Sequence, residues 1–193
     1  MGFYKYISKL HRERPEEYLE LSRQRLIQWR RESAKQRIQY PTDIVSARRL
    51  GYKPKHGFIL VRIRLNRGQK KRPTINKGRR SAHMGQRLVL AKNYRWVAEE
   101  RASKYYPNLE VLNSYKVGKD GLHYWYEVIL VDPNHPEIKA DKNISWISSK
   151  KHTGRVYRGL TSAARKSRGL RNRGKGSEKV RPSRTANIER RKD

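Results

Sequence analysis

The chain contains no cysteine, which excludes disulfides, thiolate metal sites and cysteine nucleophiles and suits a reducing compartment. It also lacks any apolar run approaching the ~20 residues of a membrane span, and no apolar stretch follows a basic start as in a secretory signal. No membrane association is therefore expected, and a cytosolic protein is, or one that passes through the nucleus where there is one. Hydrophobic residues make up 35% of 193 residues and mean hydropathy is −1.07. So lean a chain supports one modest core with long extensions. The most informative absence is of acid. Between Asp43 and Glu99 there is none, while that stretch carries ten arginines and six lysines.

The formal net charge of +31 is unevenly spread: +4 over residues 1–43, +16 over 44–98, −2 over 99–149 and +13 over 150–193. Arginine leads lysine ten to six in each strongly basic segment, whereas lysine leads five to one in the near-neutral one. Arginine's planar fork pairs bidentately with phosphate and stacks on bases, while lysine is the usual cation of a solvated surface. A merely soluble surface would intersperse acids with the bases. Self-repulsion at this density calls for a polyanion, and nucleic acid is the natural one. Anionic lipid fits less well, because neither basic segment shows the Trp/Phe/Leu-rich face of an interfacial helix.

Hydrophobic spacing predicts the elements. A short helix over residues 1–11 would put Phe3, Ile7 and Leu10 on one side. Pro15 followed by Glu16 and Glu17 is a helix start, and Leu19, Ser22, Leu26, Trp29 and Ser33 extend the helical stripe to about Ile38. From Gly57 to Asn66, Ile59, Val61, Ile63 and Leu65 alternate with Phe58, Leu60, Arg62 and Arg64, so a strand should seal a core on one face and aim Arg62 and Arg64 outward. Residues 68–86 read as a basic loop. Leu90, Tyr94, Val97, Ala98, Arg101 and Tyr105 suit a helix ending near Tyr106. Two strands, Leu109 to Val117 and Leu122 to Val131, flank a hairpin loop at Gly118–Gly121, with Val111 and Tyr115 expected on one face with Leu109. The fold class is α+β, a small antiparallel sheet with covering helices and long basic extensions. Beyond Lys150 the apolar residues are isolated, among them Val156, Tyr157, Leu160 and Ile188, too few to offset chain entropy, so the tail should be disordered alone.

Tests for chemistry come out empty. Gly169 to Gly176 falls one residue short of a phosphate-binding loop: the position after Lys175 is Gly176 rather than Ser or Thr, and no buried strand leads in. Glu99 and Glu100 are adjacent on a helix and cannot converge on one bond; surface pairs Arg95 with Glu99 and Glu100 with Lys104 explain them. The six histidines show no helical metal spacing, and Asp132 to Pro136 is turn chemistry. What remains is a binding pattern, arginines interleaved with Tyr40, Tyr52, Tyr94, Trp96 and Tyr157, rings that either stack on unpaired bases or pack in the core.

A series of ordered segments resembles large-subunit ribosomal protein fifteen of the archaeal and eukaryotic type. They are residues 1–7, Ala47 to Lys53, Gly57 to Pro73 with its Val61-Arg62-Ile63-Arg64 strand, Val97 to Ala102, Val111 to Tyr115, Glu127 to Pro133, and Arg158 to Leu170. The compact length is similar to archaeal members, and past about Lys175 the chain is shorter than the eukaryotic members and differs from them. The resemblance implies a structural constituent of the large ribosomal subunit, cytoplasmic within the ribosome, with large-subunit ribosomal RNA and neighbouring ribosomal proteins as partners rather than a second copy of itself. It implies no catalytic activity, cofactor or metal. The RNA-facing residues it implies are Arg48, Arg49, Lys53, Arg62, Arg64, Arg67, Lys70, Lys71, Arg72, Lys77, Arg79, Arg80, Arg158, Arg165, Lys166 and Arg168. The expected layout is an N-terminal helical segment (1–43) packed on an α+β core (44–149) with a basic loop at 67–86, and a tail (150–193) ordered only on RNA. Composition alone also permits a DNA-compacting, chromatin-like protein.

Overall fold

Alternating apolar residues make β2 (Phe58–Asn66) the second of four antiparallel strands. The computed structural model describes residues 2–71, 78, 85 and 87–171. The sheet runs β1 (Lys35–Ile38), β2, β6 (His123–Val131), β5 (Glu110–Lys119). In register, Val61 lies opposite Val128 and Leu65 opposite Tyr124. A separate two-residue ladder pairs β3 (Lys70–Lys71) with β4 (Arg87–Leu88).

Both faces of the sheet are covered, which explains the near-continuous apolar run of β6. On one side α4 (Tyr94–Tyr105) and α6 (Ser162–Ser167) bury Val61, Ile63, Leu65, Val128 and Leu130. On the other, Ala47 of α3 (Ile44–Arg49) packs with Tyr52, Leu60, Tyr115 and Ile129. Further along that face Trp29 of α2 (Glu16–Arg31) lies 6.0 Å from Trp125. Helix α1 (Phe3–Glu13) precedes it and exposes Phe3 and Tyr6. At the sheet's end, Val131 and Ile138 of α5 (Pro136–Ala140) form a third cluster with Ile144 and Ile147. Gly57 turns there at φ +83, and an added Cβ would sit 2.6 Å from Ile138, so only glycine fits.

The structure differs from the sequence reading in three places. First, α2 stops at Arg31, and Lys35–Ile38 becomes β1, pairing with Leu60 to Ile63 of β2. Helical spacing continued through this stretch, but an open β2 edge would leave backbone donors and acceptors unpaired, and the sheet takes those residues instead. Second, β5 shifts register between Val111 and Asn113 and again between Lys116 and Gly118. The first shift sends Val111 under α4 and Tyr115 to the opposite face, where strict alternation predicted one face. At the second, Gly118 lets α2 come close: a Cβ there would meet Leu26 at 2.9 Å.

Third, the fold continues past residue 150. Val156 and Ala164 are wholly buried and Ala163 nearly so. Arg155 Nη1 donates to the carbonyls of Val111 (2.5 Å) and Leu112 (2.9 Å), at the first irregularity of β5. Trp96 Nε1 donates to the Val156 carbonyl at 2.9 Å, and Asn93 Nδ2 to that of Ala163 at 2.9 Å. The tail buries few apolar side chains, and they are small ones set against α4 and β5, where little volume suffices.

Candidate nucleic-acid interface

Two buried carboxylates organise the body on which the cations sit. Glu99, on α4, is fully buried and accepts hydrogen bonds from Ser114 Oγ and Thr161 Oγ1, each at 2.5 Å. Thr161 also caps α6 by accepting from the Ala164 N–H at 3.3 Å. The expected surface pair with Arg95 does not form: Arg95 donates instead to Ser114 Oγ (2.9 Å) and Asn113 Oδ1 (2.6 Å). Glu100 pairs with Lys92 at 2.7 Å rather than with Lys104. Across the sheet, Glu127 of β6 accepts from the Thr42 N–H (3.1 Å), Thr42 Oγ1 (2.5 Å) and Tyr115 Oη (2.5 Å). Burial pushes both carboxyls above the ordinary range, and their hydrogen bonds pull the other way. Burial, followed by the neighbouring Glu127, likewise pushes the Tyr115 phenol upward. One carboxylate ties the C-terminal segment to the sheet and the other ties the N-terminal one.

The cations divide into two groups. Arg62, expected to point outward, is only 8% exposed; its Nη2 meets Glu32 Oε2 at 2.5 Å and its guanidinium lies 4.3 Å from the Trp29 ring centre. Arg64 Nη1 donates to the Arg30 carbonyl at 2.6 Å, satisfying the C-terminal end of α2. The outward aim read from alternation fails because α2 covers that face. Arg67 Nη1 donates to the carbonyls of Asp120 (2.8 Å) and Gly121 (3.3 Å), bracing the hairpin turn. Lys53 and Lys55 both reach Asp141 Oδ2, at 2.7 and 2.8 Å. Those two ammonium groups hold the Asp141 carboxyl well below the usual carboxylate range.

The second group has no carboxylate partner among the described residues. Arg48 and Arg49 end α3 and are exposed, with Arg48 stacked 5.2 Å from the Tyr4 ring centre. Arg165 and Lys166 stand exposed on α6, beside Arg168, whose Nη1 donates to the Gly159 carbonyl at 3.2 Å. Arg158 Nη2 donates to the carbonyls of Lys151 (2.6 Å) and Thr153 (2.7 Å) and keeps an exposed side chain. Apart from both groups, Lys70 and Lys71 form β3. Arg72, Lys77, Arg79 and Arg80 lie outside the described residues, as does the run 172–176.

Of the interleaved aromatics, Tyr52 and Trp96 are core, while Tyr40 and Tyr157 are exposed. Sequence reasoning missed Arg171, exposed with its Nη2 donating to Ser162 Oγ at 2.6 Å. The signal was there in the arginine spacing of Arg165, Arg168 and Arg171. It also missed Arg155, whose buried structural role carries no local mark. Among the described residues, no group of three or more His, Asp or Glu could hold a metal ion, and no helix is long and apolar enough to cross a membrane.

Fold and surface together define a small basic α+β protein whose buried acids serve its own core. Residues 2–187 match the ribosomal L15 family. The chain is 50% identical over 189 residues, 97% of its length and 99% of the relative's, to the protein named large ribosomal subunit protein eL15 of Nanoarchaeum equitans. It is 48% identical over 193 residues to the protein of that name in Methanococcoides burtonii, covering 99% and 98% of the two chains. It is 52% identical over 170 residues to that of Methanospirillum hungatei, covering 88% and 87%. The chain belongs to the ribosomal L15 family.

Proposed function

We propose that this protein is a structural constituent of the large ribosomal subunit that binds and braces folded ribosomal RNA. Neighbouring ribosomal proteins share the particle, and its place is the cytoplasm. The observation that carries the reading is the set of exposed cations with no carboxylate partner among the described residues: Arg48 and Arg49 on α3, and Arg165 and Lys166 on α6. Short, well-packed helices hold them, so phosphate contact costs little ordering. The basic loop and the residues beyond 171 add charge from Arg72, Lys77, Arg79, Arg80 and the tail arginines. The buried acids have structural partners, which leaves the molecule built for binding rather than for turnover.

Binding to a large-subunit RNA fragment should weaken steeply with salt, log affinity falling by about 0.7 to 0.9 per neutralised phosphate for each tenfold rise. A shallow slope contradicts the reading. Competition at equal phosphate between that fragment and duplex DNA should favour the RNA, and a preference for DNA would favour chromatin-like compaction instead.

A further inference from the structure

A cleft of about 920 Å³ opens where the end of β2 meets α4 and the residues leading into it. Leu65 and Val97 supply apolar lining, and Leu90 adds a partly exposed apolar wall. Tyr94 lines it too, its ring fixed because the hydroxyl accepts from the Gly68 N–H (2.8 Å) and donates to the Gly68 carbonyl (2.6 Å). Arg67 and Arg101 stand at the same cleft, which Asn66 and Gln69 also line. No carboxylate lines it among the described residues. Lys92, also at the rim, is bonded to Glu100, and Arg67 is held by carbonyls, which leaves Arg101 exposed with no carboxylate partner among the described residues.

The volume lies within the roughly 300–1,000 Å³ of small-ligand clefts. Apolar walls and a fixed aromatic ring suit the faces of a flat base, and a free guanidinium suits the adjoining phosphate. We propose that this cleft captures one unpaired nucleotide turned out of folded RNA. The proposal rests on the RNA-binding reading and adds to it a defined pocket. An acidic peptide would satisfy Arg101 but leave the apolar walls and the fixed ring without a use.

The test uses the full-length chain with large-subunit ribosomal RNA. Short-wave ultraviolet cross-linking with peptide mass spectrometry should place a nucleotide adduct on the peptides holding Tyr94 or Asn66 to Gln69. Leu90→Glu and Arg101→Glu should each weaken binding about tenfold, the range for losing one stacked base. Both positions are exposed, so folding should survive, as circular dichroism would check. Lys139→Glu, the same charge change as Arg101→Glu but on exposed α5 beside Gly57 at the far end of β2, should weaken it no more than about threefold. In chemical footprints, a single unpaired nucleotide should lose protection in the two cleft variants and keep it in the Lys139 variant. Equal losses in all three variants with unchanged footprints overturn the pocket while leaving RNA binding in place. Failure of the unaltered chain to bind RNA overturns the broader reading.

Discussion

The cations of β2 and those of α6 come from equally cationic stretches of sequence, yet they do opposite things. Arg62 and Arg64 turn inward, one paired with Glu32 beneath Trp29 and one on the final carbonyls of α2. Arg165 and Lys166 stand in solvent with no carboxylate partner among the described residues. The difference lies in what covers each face. Helix α2 lies across the Arg62 side of the sheet, so a cation there needs a carboxylate or carbonyl to offset desolvation. Helix α6 spends its small side chains, Ala163 and Ala164, on the core and leaves its long ones in solvent. Charge density alone thus does not say which cations are exposed; cover decides which remain available.

The sharpest way to break this contrast is Arg62→Ala, which leaves Glu32 unpaired and uncovers Trp29. Urea unfolding should show a loss of about 2 to 3 kcal/mol, at or below the low end for breaking a buried pair because Glu32 still touches water. A loss under about 0.5 kcal/mol would mean that the strand arginine is free after all. Next in size, Thr161→Ala removes both the cap of α6 and one of Glu99's two hydrogen-bond donors, and should cost about 1 to 2 kcal/mol. An unchanged midpoint would show that residues beyond 150 contribute nothing to the isolated fold.

A smaller effect concerns pH. The folded pKa of Glu127 is raised by burial, so its contribution is fully present below the unfolded value, about 4.3, and is lost as pH rises through the folded value. Glu127→Gln keeps an acceptor for the Thr42 N–H and Tyr115 Oη and can donate to Thr42 Oγ1. Its stability relative to the unaltered chain should therefore improve from pH 4 to pH 7, as read from paired unfolding curves. Parallel curves would show that the carboxyl ionises as freely folded as unfolded. Smallest of all, Arg165→Ala with Lys166→Ala should shift stability by no more than about 0.5 kcal/mol, as exposed positions do.

Much of this was legible in residues whose signals are local. The alternation of Ile59 to Leu65 gave β2, Pro15 with two glutamates gave the start of α2, and Gly118 to Gly121 marked the hairpin. What escaped depends on partners distant in sequence. Lys35 to Ile38 looked helical, and only the open edge of β2 makes it a strand. Glu99 looked like half of a surface pair with Arg95, whereas Ser114 and Thr161 are 15 and 62 residues away. Arg62 looked outward because alternation reports a face and not what lies over it. The tail beyond Lys150 looked unable to pack because its contribution rests on Val156 and two alanines, which hydrophobic counting undervalues. The positions of Arg165, Lys166 and Arg168 were named from sequence, and the helix that presents them was not.

The most direct measurement is the salt dependence of large-subunit RNA binding for three folded chains: unaltered, Arg165→Ala with Lys166→Ala, and Arg62→Met. If α6 meets phosphate and β2 holds the fold, the double variant loses about 1.5 from the slope of log affinity against log salt, and Arg62→Met leaves that slope unchanged. A slope untouched by the α6 changes, or lowered by Arg62→Met in a chain that remains folded, would contradict that division.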